Sequence, residues 1–343
     1  MQNDQKVISC QLCGSSSELK HDAFTGYQEG TTFQIYYCDN CMTSFSMPRI
    51  DASKMYEVIY KNGNTVPGYD RYWEYLENIK KQTKPLQYLA DAEDTFWGIQ
   101  DALRQIVKNE DKETKKILEI GSGLGYLTYS LRKENYNSYG LDISQEAVDQ
   151  ANQNLGEFYI CKDLFEYAET NTESFDIVIF TEVIEHVEEP ISFIEAIVKL
   201  LKPNGSIILT TPNKSFTPLD VVWSTDLPPI HHWWFSEESI KYIAKKFNLI
   251  TKFIDFSSYH KKHYKLHKIR RDRLPAPILG KNWELLRKSR PPRKNKGLYK
   301  SILFSIPFIK LLYTKFKLAV SSNVILGAER GPRLCVIMQK DAK

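Results

Sequence analysis

A short glycine-rich turn between an apolar run and a helical pattern is the feature that most constrains this chain. Residues 117–127 read Ile-Leu-Glu-Ile-Gly-Ser-Gly-Leu-Gly-Tyr-Leu, so a predicted strand enters three glycines at alternate positions and a helix follows at once. Glycine has no Cβ, and its backbone N–H groups can therefore approach a nucleotide-like ligand closely. The spacing differs from the Gly-x-Gly-x-x-Gly of dinucleotide folds, and no Lys or Arg stands in the turn to meet a phosphate.

Acidic side chains mark the ends of three successive predicted strands. Glu119 lies in the strand before the glycines, where a carboxylate suits a ligand group such as an amino acid's ammonium. Asp142 ends the strand 138–141, where an acid accepts hydrogen bonds from ribose hydroxyls. Asp163 follows the strand 158–161 and is placed to meet an adenine amino group. An adenosine that carries an amino acid fits all three.

With these motifs, the chain resembles the class I S-adenosylmethionine-dependent methyltransferases from about residue 116 to 256. The resemblance implies S-adenosylmethionine as cofactor, held by residues of the turn and of the strand ends. These are Glu119, Gly121, Ser122, Gly123, Gly125, Tyr126, Asp142, Ile143, Asp163, Leu164 and Thr181.

The pattern from residue 116 onward alternates strand and helix, which predicts an α/β fold. Apolar runs such as 177–180 and 207–209 are typical of parallel strands buried on both faces. The resemblance implies a Rossmann-like, doubly wound sheet of seven strands with an antiparallel last strand, for which 333–339 is the natural candidate. Residues 257–331 would then be inserted before that strand, where long insertions are usually functional.

Two Cys-x-x-Cys pairs stand near the start of the chain, Cys10 with Cys13 and Cys38 with Cys41. Two such knuckles facing each other form a tetrahedral zinc site, and this spacing predicts a small zinc ribbon. A structural role for Zn²⁺ is favoured over a catalytic or redox role, because the module is too small to hold a core by itself.

Length and composition predict an ordinary globular chain with more than one domain. Of its 343 residues 42% are hydrophobic and 26% charged, and no apolar run approaches the length of a membrane span. No apolar segment follows the polar first residues, so we expect a cytoplasmic protein. This expectation includes peripheral association with the inner face of the membrane. The predicted domains are a zinc ribbon at 1–50, a helical linker or lid at 51–112, the methyltransferase core at 113–260, a basic insertion at 261–331 and the final core strand at 332–343.

A second acidic motif follows the fourth predicted strand, at the sheet edge where open α/β folds bind ligands. In a helical turn, Glu182, Glu185 and His186 would share one face, and together with His231 they can hold a divalent cation such as Mg²⁺ or Mn²⁺. The pattern resembles two groups of O-methyltransferases, which modify ubiquinone precursors and the 3′-terminal 2′-hydroxyl of small RNAs. In both groups the resemblance implies a cation that chelates two adjacent hydroxyls of the substrate.

A reading without metal stays open for the same residues. Many methyltransferases carry Glu-His after this strand as a loop anchor, and in that case His186, His231 or His232 can serve as general base towards a hydroxyl. Glu185 belongs to the catalytic set in either reading. Trp223, Trp233 and Trp234 either wall an acceptor or pack in the core.

The insertion concentrates the positive charge of the chain. Residues 261–300 hold 15 Lys and Arg against Asp272 and Glu284, a net charge of +13 in a chain whose total is +4. Residues 261–318 also interleave aromatic side chains, so the segment can lie on an anionic membrane surface, grip nucleic-acid phosphates, or form a solvated cap.

Residues 48–60 resemble the link that follows a zinc ribbon in many bacterial methyltransferases, which commonly modify surface sugars and related small molecules. Together, these resemblances imply an S-adenosylmethionine-dependent methyltransferase acting on a small-molecule or glycan acceptor, most simply at oxygen. The alternatives are an RNA 2′-O-methyltransferase, a C-methyltransferase on a nucleotide sugar, and a binding module that keeps the cofactor fold without catalysis. The intact Glu119, Asp142 and glycine set argues against the last. The oligomeric state stays open.

Overall fold

The structure is a computed structural model, and it describes residues 7–216, 227–263, 266–268, 276–288, 307–320, 324–326 and 329–340. Trp223 and much of the basic insertion predicted at 261–331 lie outside the described residues. Among the described helices, none is both long enough and apolar enough to cross a lipid bilayer.

The first four strands form an antiparallel meander that carries the four cysteines at its turns. The strands are β1 (Val7–Ser9), β2 (Ser16–Thr25), β3 (Thr32–Cys38) and β4 (Thr43–Met47). The first knuckle closes through a hydrogen bond from the Gly14 N–H to the Cys10 carbonyl (2.8 Å), and Gly14 takes φ +79°, which glycine adopts without strain. The predicted ribbon is therefore present as a compact turn-strand unit.

Four helices connect the ribbon to the core. They are α1 (Ser53–Lys61), α2 (Asp70–Ile79), α3 (Pro85–Ala92) and α4 (Asp94–Ile106). Within the helical linker predicted at 51–112, the structure divides residues 70–106 into three helices. The first break precedes Pro85, because a residue before proline is disfavoured in the helical region, and the second is Glu93, whose backbone is extended.

The core is a sheet of seven strands, as the resemblance implies, and its strand order is β11-β14-β9-β8-β5-β6-β7. Its strands are β5 (Lys116–Ile120), β6 (Asn137–Asp142), β7 (Tyr159–Cys161), β8 (Phe175–Thr181), β9 (Leu201–Pro212), β11 (Leu249–Phe253) and β14 (Arg333–Lys340). The helices between them are α5 (Tyr126–Lys133), α6 (Gln145–Leu155), α7 (Leu164–Thr170), α8 (Pro190–Leu200) and α9 (Glu237–Lys246).

The last strand, β14, runs antiparallel to both of its neighbours, β9 and β11. The prediction of an antiparallel final strand at 333–339 is confirmed. The described elements between β11 and β14 are α10 (Ser257–His263), β12 (Leu266–Lys268), α11 (Pro307–Val320) and β13 (Val324–Leu326), with β12 and β13 paired antiparallel.

The ribbon is not structurally separate from the core, because a strand from the core joins its sheet. The two-residue strand β10 (Trp233–Trp234) pairs with β4, with Trp233 opposite Phe45. Phe45 is fully buried between Tyr36 and Trp233, at ring-centroid distances of 5.7 and 5.6 Å. One continuous apolar cluster contains the ribbon's buried cysteines and the core strands. The ribbon and the core therefore share a single packed interior.

We predict that Phe45→Ala destabilises the whole molecule and not the ribbon alone. Removing a fully buried phenylalanine leaves a cavity and costs about 3–5 kcal/mol in free energy of unfolding. Denaturant unfolding followed by circular dichroism measures this, and Phe165→Ala, which truncates a side chain that is 48% exposed, is the control with an expected change of about 0.5 kcal/mol or less. A separate early ribbon transition with an unmoved core transition would contradict the shared interior.

Candidate active site

The glycine turn after β5 lies at the carboxyl edge of the sheet, as the sequence predicts. Gly121, Gly123 and Gly125 take φ values of +70°, +50° and +82°, a region that other residues rarely enter. A Cβ on Gly125 would lie 2.5 Å from the ring of Tyr159, whose hydroxyl donates to the Gly125 carbonyl (2.6 Å). Here the backbone conformation and the close approach of a side chain both require glycine.

Asp142, at the end of β6, is tied to this turn. One carboxylate oxygen accepts from the Gly123 N–H (2.7 Å) and the other from the Ser144 N–H (2.9 Å). Burial raises the pKa of Asp142, although these backbone hydrogen bonds oppose the rise. A carboxylate has about four acceptor positions, so it retains the capacity to accept from further hydroxyl groups.

Glu119 lies behind the turn rather than on its surface. Its side chain is 2% exposed and accepts hydrogen bonds from the N–H (2.9 Å) and hydroxyl (2.6 Å) of Thr128 on α5. Burial raises the pKa of Glu119 to about 8. The carboxyl group thus joins β5 to α5, a contact with Thr128 that the sequence motif did not reveal.

The remaining predicted cofactor residues surround the same edge. Asp163 caps α7 by accepting from the N–H groups of Phe165 (2.8 Å) and Glu166 (3.2 Å). Ile143 is 75% exposed, an apolar side chain beside Asp142 that offers a surface for a flat base. The others are Ser122 and Leu164, which are buried, and Tyr126 and Thr181, which are partly buried.

The site fits an adenosine-type cofactor by its own chemistry. Within the described residues, the buried Ser122 hydroxyl has no hydrogen-bond partner. A Cβ built on Gly123 meets no atom within 4 Å, so there is open space above the turn. A shallow hollow beside it is lined by Leu124 and Ser144 of the core and by Tyr60 and Trp73 of α1 and α2.

The predicted lid at 51–112 therefore divides into two parts. Tyr60 of α1 and Trp73 of α2 reach the hollow beside the turn. Helix α4 packs on the sheet instead, and a Cβ on Gly98 would lie 2.9 Å from Cys335 of β14. Side chains of α1 and α2 thus line the hollow while α4 packs on the sheet, and a lid at 51–112 stays a prediction.

The acidic motif after β8 forms a tight turn rather than the helical turn considered from the sequence. Glu182 takes φ +56°, and the His186 N–H then bonds to the Val183 carbonyl (2.9 Å). This reversal sends the Glu182 carboxylate to an ion pair with Arg333 of β14. Glu182 is therefore not among the ligand atoms that converge with those of Glu185 and His186, and Arg333, which no motif pointed to, is its partner.

Glu185, His186 and His231 converge on one point, with ligand atoms within 4.8 Å of one another. His186 Nδ1 lies 2.7 Å from the Ile230 carbonyl, which can only accept, so Nδ1 carries the proton and Nε2 presents a lone pair. Glu185 accepts from the Thr211 hydroxyl through one oxygen (2.9 Å). Its other oxygen and His231 Nδ1 are buried without a hydrogen-bond partner among the described residues.

Burial sets the charge of this cluster. It lowers the pKa of His186 to about 4 and that of His231 well below its usual value. Burial also raises the pKa of Glu185 well above its usual value, with the nearby Glu182 adding to the rise. Both imidazoles are therefore neutral near pH 7, which is the form that binds metal ions.

His232 and the tryptophans take structural positions. The His232 N–H donates to the Glu185 carbonyl (2.9 Å), and burial lowers the pKa of its side chain to about 3. Trp233 and Trp234 are 1% and 3% exposed, so they pack in the interior rather than wall an open acceptor site. Tyr56 of α1 instead reaches the cluster, with its hydroxyl 3.3 Å from His186 Nδ1.

The four ribbon cysteines also converge, with their ligand atoms within 4.8 Å of one another. The sulfurs of Cys10 and Cys41 are 3.6 Å apart and those of Cys13 and Cys38 are 3.5 Å apart. Four thiols in this arrangement fit a tetrahedral zinc site. The identity of the ion stays a prediction.

The chain matches a known family over its middle part. Residues 92–250 match the family model described as Methyltransferase domain. This stretch is therefore similar to methyltransferase domains. It contains the glycine turn, Asp142, and the Glu185, His186 and His231 cluster.

Curated relatives of this domain are named ubiquinone biosynthesis O-methyltransferases. The protein of Photobacterium profundum is 37% identical over 106 residues, which cover 29% of this chain and 45% of the relative. That of Vibrio atlanticus is 35% identical over 114 residues, which cover 32% of this chain and 48% of the relative. The chain thus spans less than half the length of these relatives.

Among solved structures, the phosphoethanolamine N-methyltransferase 2 of Haemonchus contortus in complex with S-adenosyl-L-methionine aligns with a TM-score of 0.45 at 16% identity. The alignment covers 72% of this chain and 52% of that chain.

We predict that Glu119→Gln flattens the pH dependence of stability. Because burial raises the folded pKa to about 8 from 4.5, the folded state binds more protons than the unfolded state between these values. The free energy of unfolding of the native protein therefore falls as pH rises through this window, by up to about 1.4 kcal/mol per pH unit for this group. Denaturant unfolding at pH 5, 6, 7 and 8, which are roughly even steps across that window, should show a smaller fall in the free energy of unfolding for the variant. Equal slopes for the two proteins would contradict the burial of an ionisable Glu119.

Proposed function

We propose that this protein is an S-adenosylmethionine-dependent methyltransferase that modifies a hydroxyl oxygen of a small-molecule or glycan acceptor. The observation that carries the proposal is the contact between the two turns. A Cβ on Gly121 would lie 2.7 Å from Val183, so the glycine turn and the turn that holds Glu185 and His186 touch. The cofactor turn and a buried proton-accepting or cation-binding cluster thus adjoin each other.

The cofactor side of the proposal uses residues with matching chemistry. Asp142 would accept from the ribose hydroxyls, the open face of Gly123 would admit the backbone of the turn to the ligand, and Ile143 would lie against the base. The sulfonium of the bound cofactor supplies an electrophilic methyl group. In the proposal the chain would hold this group beside the Glu185 cluster, and Tyr60 and Trp73, which line the hollow beside the glycine turn, would cover the cofactor.

The acceptor side requires a group that activates a hydroxyl. We include in the proposal a divalent cation held by Glu185, His186 and His231, which would lower the pKa of the acceptor hydroxyl. The orphaned Glu185 oxygen and His231 nitrogen support this, because buried polar atoms normally have partners. Two imidazoles beside one carboxylate suit Mn²⁺ better than Mg²⁺, which prefers oxygen ligands.

The general-base reading is less well supported by the same atoms. A base works best when its pKa lies near the working pH, and burial lowers that of His186 to about 4. Such an imidazole holds a proton weakly but still offers its lone pair to a cation. The relatives' name, ubiquinone biosynthesis O-methyltransferase, agrees with oxygen as the methylated atom in the proposal.

The test is methyl transfer from radiolabelled S-adenosylmethionine into extracted glycans, small molecules and lipids, with total RNA in parallel. We expect label in the glycan or small-molecule fraction, loss of transfer in EDTA, and recovery on adding Mn²⁺. Glu185→Gln should lower kcat by about 100-fold or more, since it removes a cation ligand. Label only in RNA, or full transfer in EDTA, would contradict the acceptor class or the cation.

Calorimetry with S-adenosylhomocysteine separates the cofactor site from the chemistry. Asp142→Asn should weaken binding by about tenfold, because it removes a charged hydrogen-bond acceptor. Asp149→Asn is the matched control, since Asp149 is an exposed acid on the neighbouring helix α6. Equal affinities for the two variants would exclude Asp142 as the ribose acceptor.

A further inference from the structure

We propose that the cysteine ribbon is part of the active site, and that Arg49 is the positioning residue through which it orients His231 and His232. The inference rests on the proposed function of that site. Strand β4 is the connecting element, since it pairs with β3 of the ribbon on one edge and with β10 on the other. The histidines immediately precede β10 in the chain.

Arg49 bridges the first cysteine knuckle to His232. Its Nε and Nη2 donate to the Gln11 side-chain oxygen (3.2 and 2.8 Å), and Gln11 lies in the knuckle between Cys10 and Cys13. Its Nη1 donates to the His232 carbonyl (3.2 Å), and its guanidinium lies over the Trp233 ring at 4.6 Å. A planar, five-donor group makes all of these contacts at once, which a lysine cannot do.

The hydrogen-bond chain continues from His232 into the cluster. The His232 carbonyl also accepts from the Ser46 N–H (3.0 Å), while the Glu185 carbonyl accepts from the N–H groups of His232 (2.9 Å) and Trp233 (3.2 Å). The Trp233 indole donates to the Val187 carbonyl (2.9 Å). One hydrogen-bonded path therefore connects the first cysteine knuckle, Arg49, the histidine segment (residues 231–234) and the turn that holds Glu185.

Binding of a metal ion to the ribbon should then affect the geometry of the active site. The knuckles are short loops, and a metal ion that binds all four thiolates fixes them together with β4. Without the ion, Gln11 and β4 lose that restraint, and the contacts of Arg49 with His232 loosen. In this way a metal ion held by the cysteines would influence His231 and His232, which the cysteines themselves do not contact.

The test compares the zinc-loaded full chain with Arg49→Ala, Arg49→Lys and Cys13→Ser. Side-chain ¹⁵N spectra of the histidines and the indole N–H signal of Trp233 report the site without requiring catalysis. Arg49→Ala should keep about one zinc per chain, shift these signals, and weaken Mn²⁺ binding by about 10- to 100-fold, as loss of an outer partner of a ligand does. Arg49→Lys should restore the spectral signals and the Mn²⁺ affinity only in part.

Cys13→Ser should lose zinc and produce the same spectral shifts. Lys20→Ala is the control, because Lys20 is a ribbon residue whose ion pair with Glu18 lies on the exposed surface. Cofactor affinity measured by calorimetry should stay unchanged in Arg49→Ala, which separates this result from failure of the proposed function. Unshifted histidine and Trp233 signals in Arg49→Ala would overturn the proposal, whether or not Cys13→Ser folds.

A second inference rests on helix α11, and we propose that its outer face docks on an anionic lipid surface. Four apolar side chains on it are 44% to 62% exposed: Leu312, Tyr313, Phe316 and Val320. Leu312, Phe316 and Val320 recur every four residues and form a stripe on one side. Thr314, which is 4% exposed, lies about 160° round the helix from Phe316, so the stripe faces away from the buried side.

Charge selects the partner of this stripe. Lys315 and Lys317 lie about 100° to either side of Phe316, where long side chains can reach lipid headgroups while the stripe enters the bilayer surface. Between Glu284 and Glu329 the sequence has ten Lys and Arg and no acid. At about 21 Å for its 14 residues the helix would lie on the membrane and not span it. A nucleic acid would use the lysines but leave the stripe exposed.

The test is co-sedimentation with phosphatidylcholine vesicles, with and without phosphatidylglycerol. We expect binding that needs the anionic lipid and falls about tenfold or more in Leu312→Ser/Phe316→Ser and in Lys315→Glu/Lys317→Glu. Ile250→Ser is the control, since Ile250 is 60% exposed but lies on β11. Binding to RNA alone, or a dimer in light scattering that the serine variant dissolves, would overturn the lipid assignment, as would absence of vesicle binding.

Discussion

The in-register parallel pairing of β5 with β8 is the constraint on which the site depends. Ile120 lies opposite Phe180, so the two strands end together and their following turns leave the sheet side by side. Each turn contains left-handed residues, and Gly121 packs against Val183 of the other turn. A shift of one residue would send the buried strand residues to the opposite face and separate the turns.

Around this edge, the protein keeps its charges either paired or suppressed by burial. Glu182 pairs with Arg333, Asp142 accepts backbone N–H groups, and Glu119 is held by Thr128. Several buried polar atoms at this edge have no protein partner among the described residues, and they include one oxygen each of Glu185 and Glu182, Nδ1 of His231 and the Ser122 hydroxyl. Since burying a polar group without a partner costs free energy, these are the atoms at which a ligand would supply missing hydrogen bonds or coordination.

The ribbon gives the histidine segment, residues 231–234, a second support besides the core sheet. Residues 231–234 lie within the connection from β9 to α9, in which they form β10 and the two residues before it. The pairing of β10 with β4 and the contacts of Arg49 fix this segment. A module that the sequence presents as separate is thus built into the support of the proposed catalytic cluster.

The antiparallel last strand was implied by the family resemblance. The sequence by itself determined the succession of strands and helices along the chain, the cysteine knuckles and the approximate position of the site. These follow from local signals: buried apolar runs, glycine spacing and metal-ligand spacing are readable within a few residues. Only the tertiary structure decided which side chains meet. Because the backbone at Glu182 is left-handed, its carboxylate pairs with Arg333, 151 positions away. Glu185 and His186 converge with His231 instead. Arg49, Thr128 and Tyr56 carry no motif, because their roles come from strands and helices that are distant in sequence and meet only when the core closes.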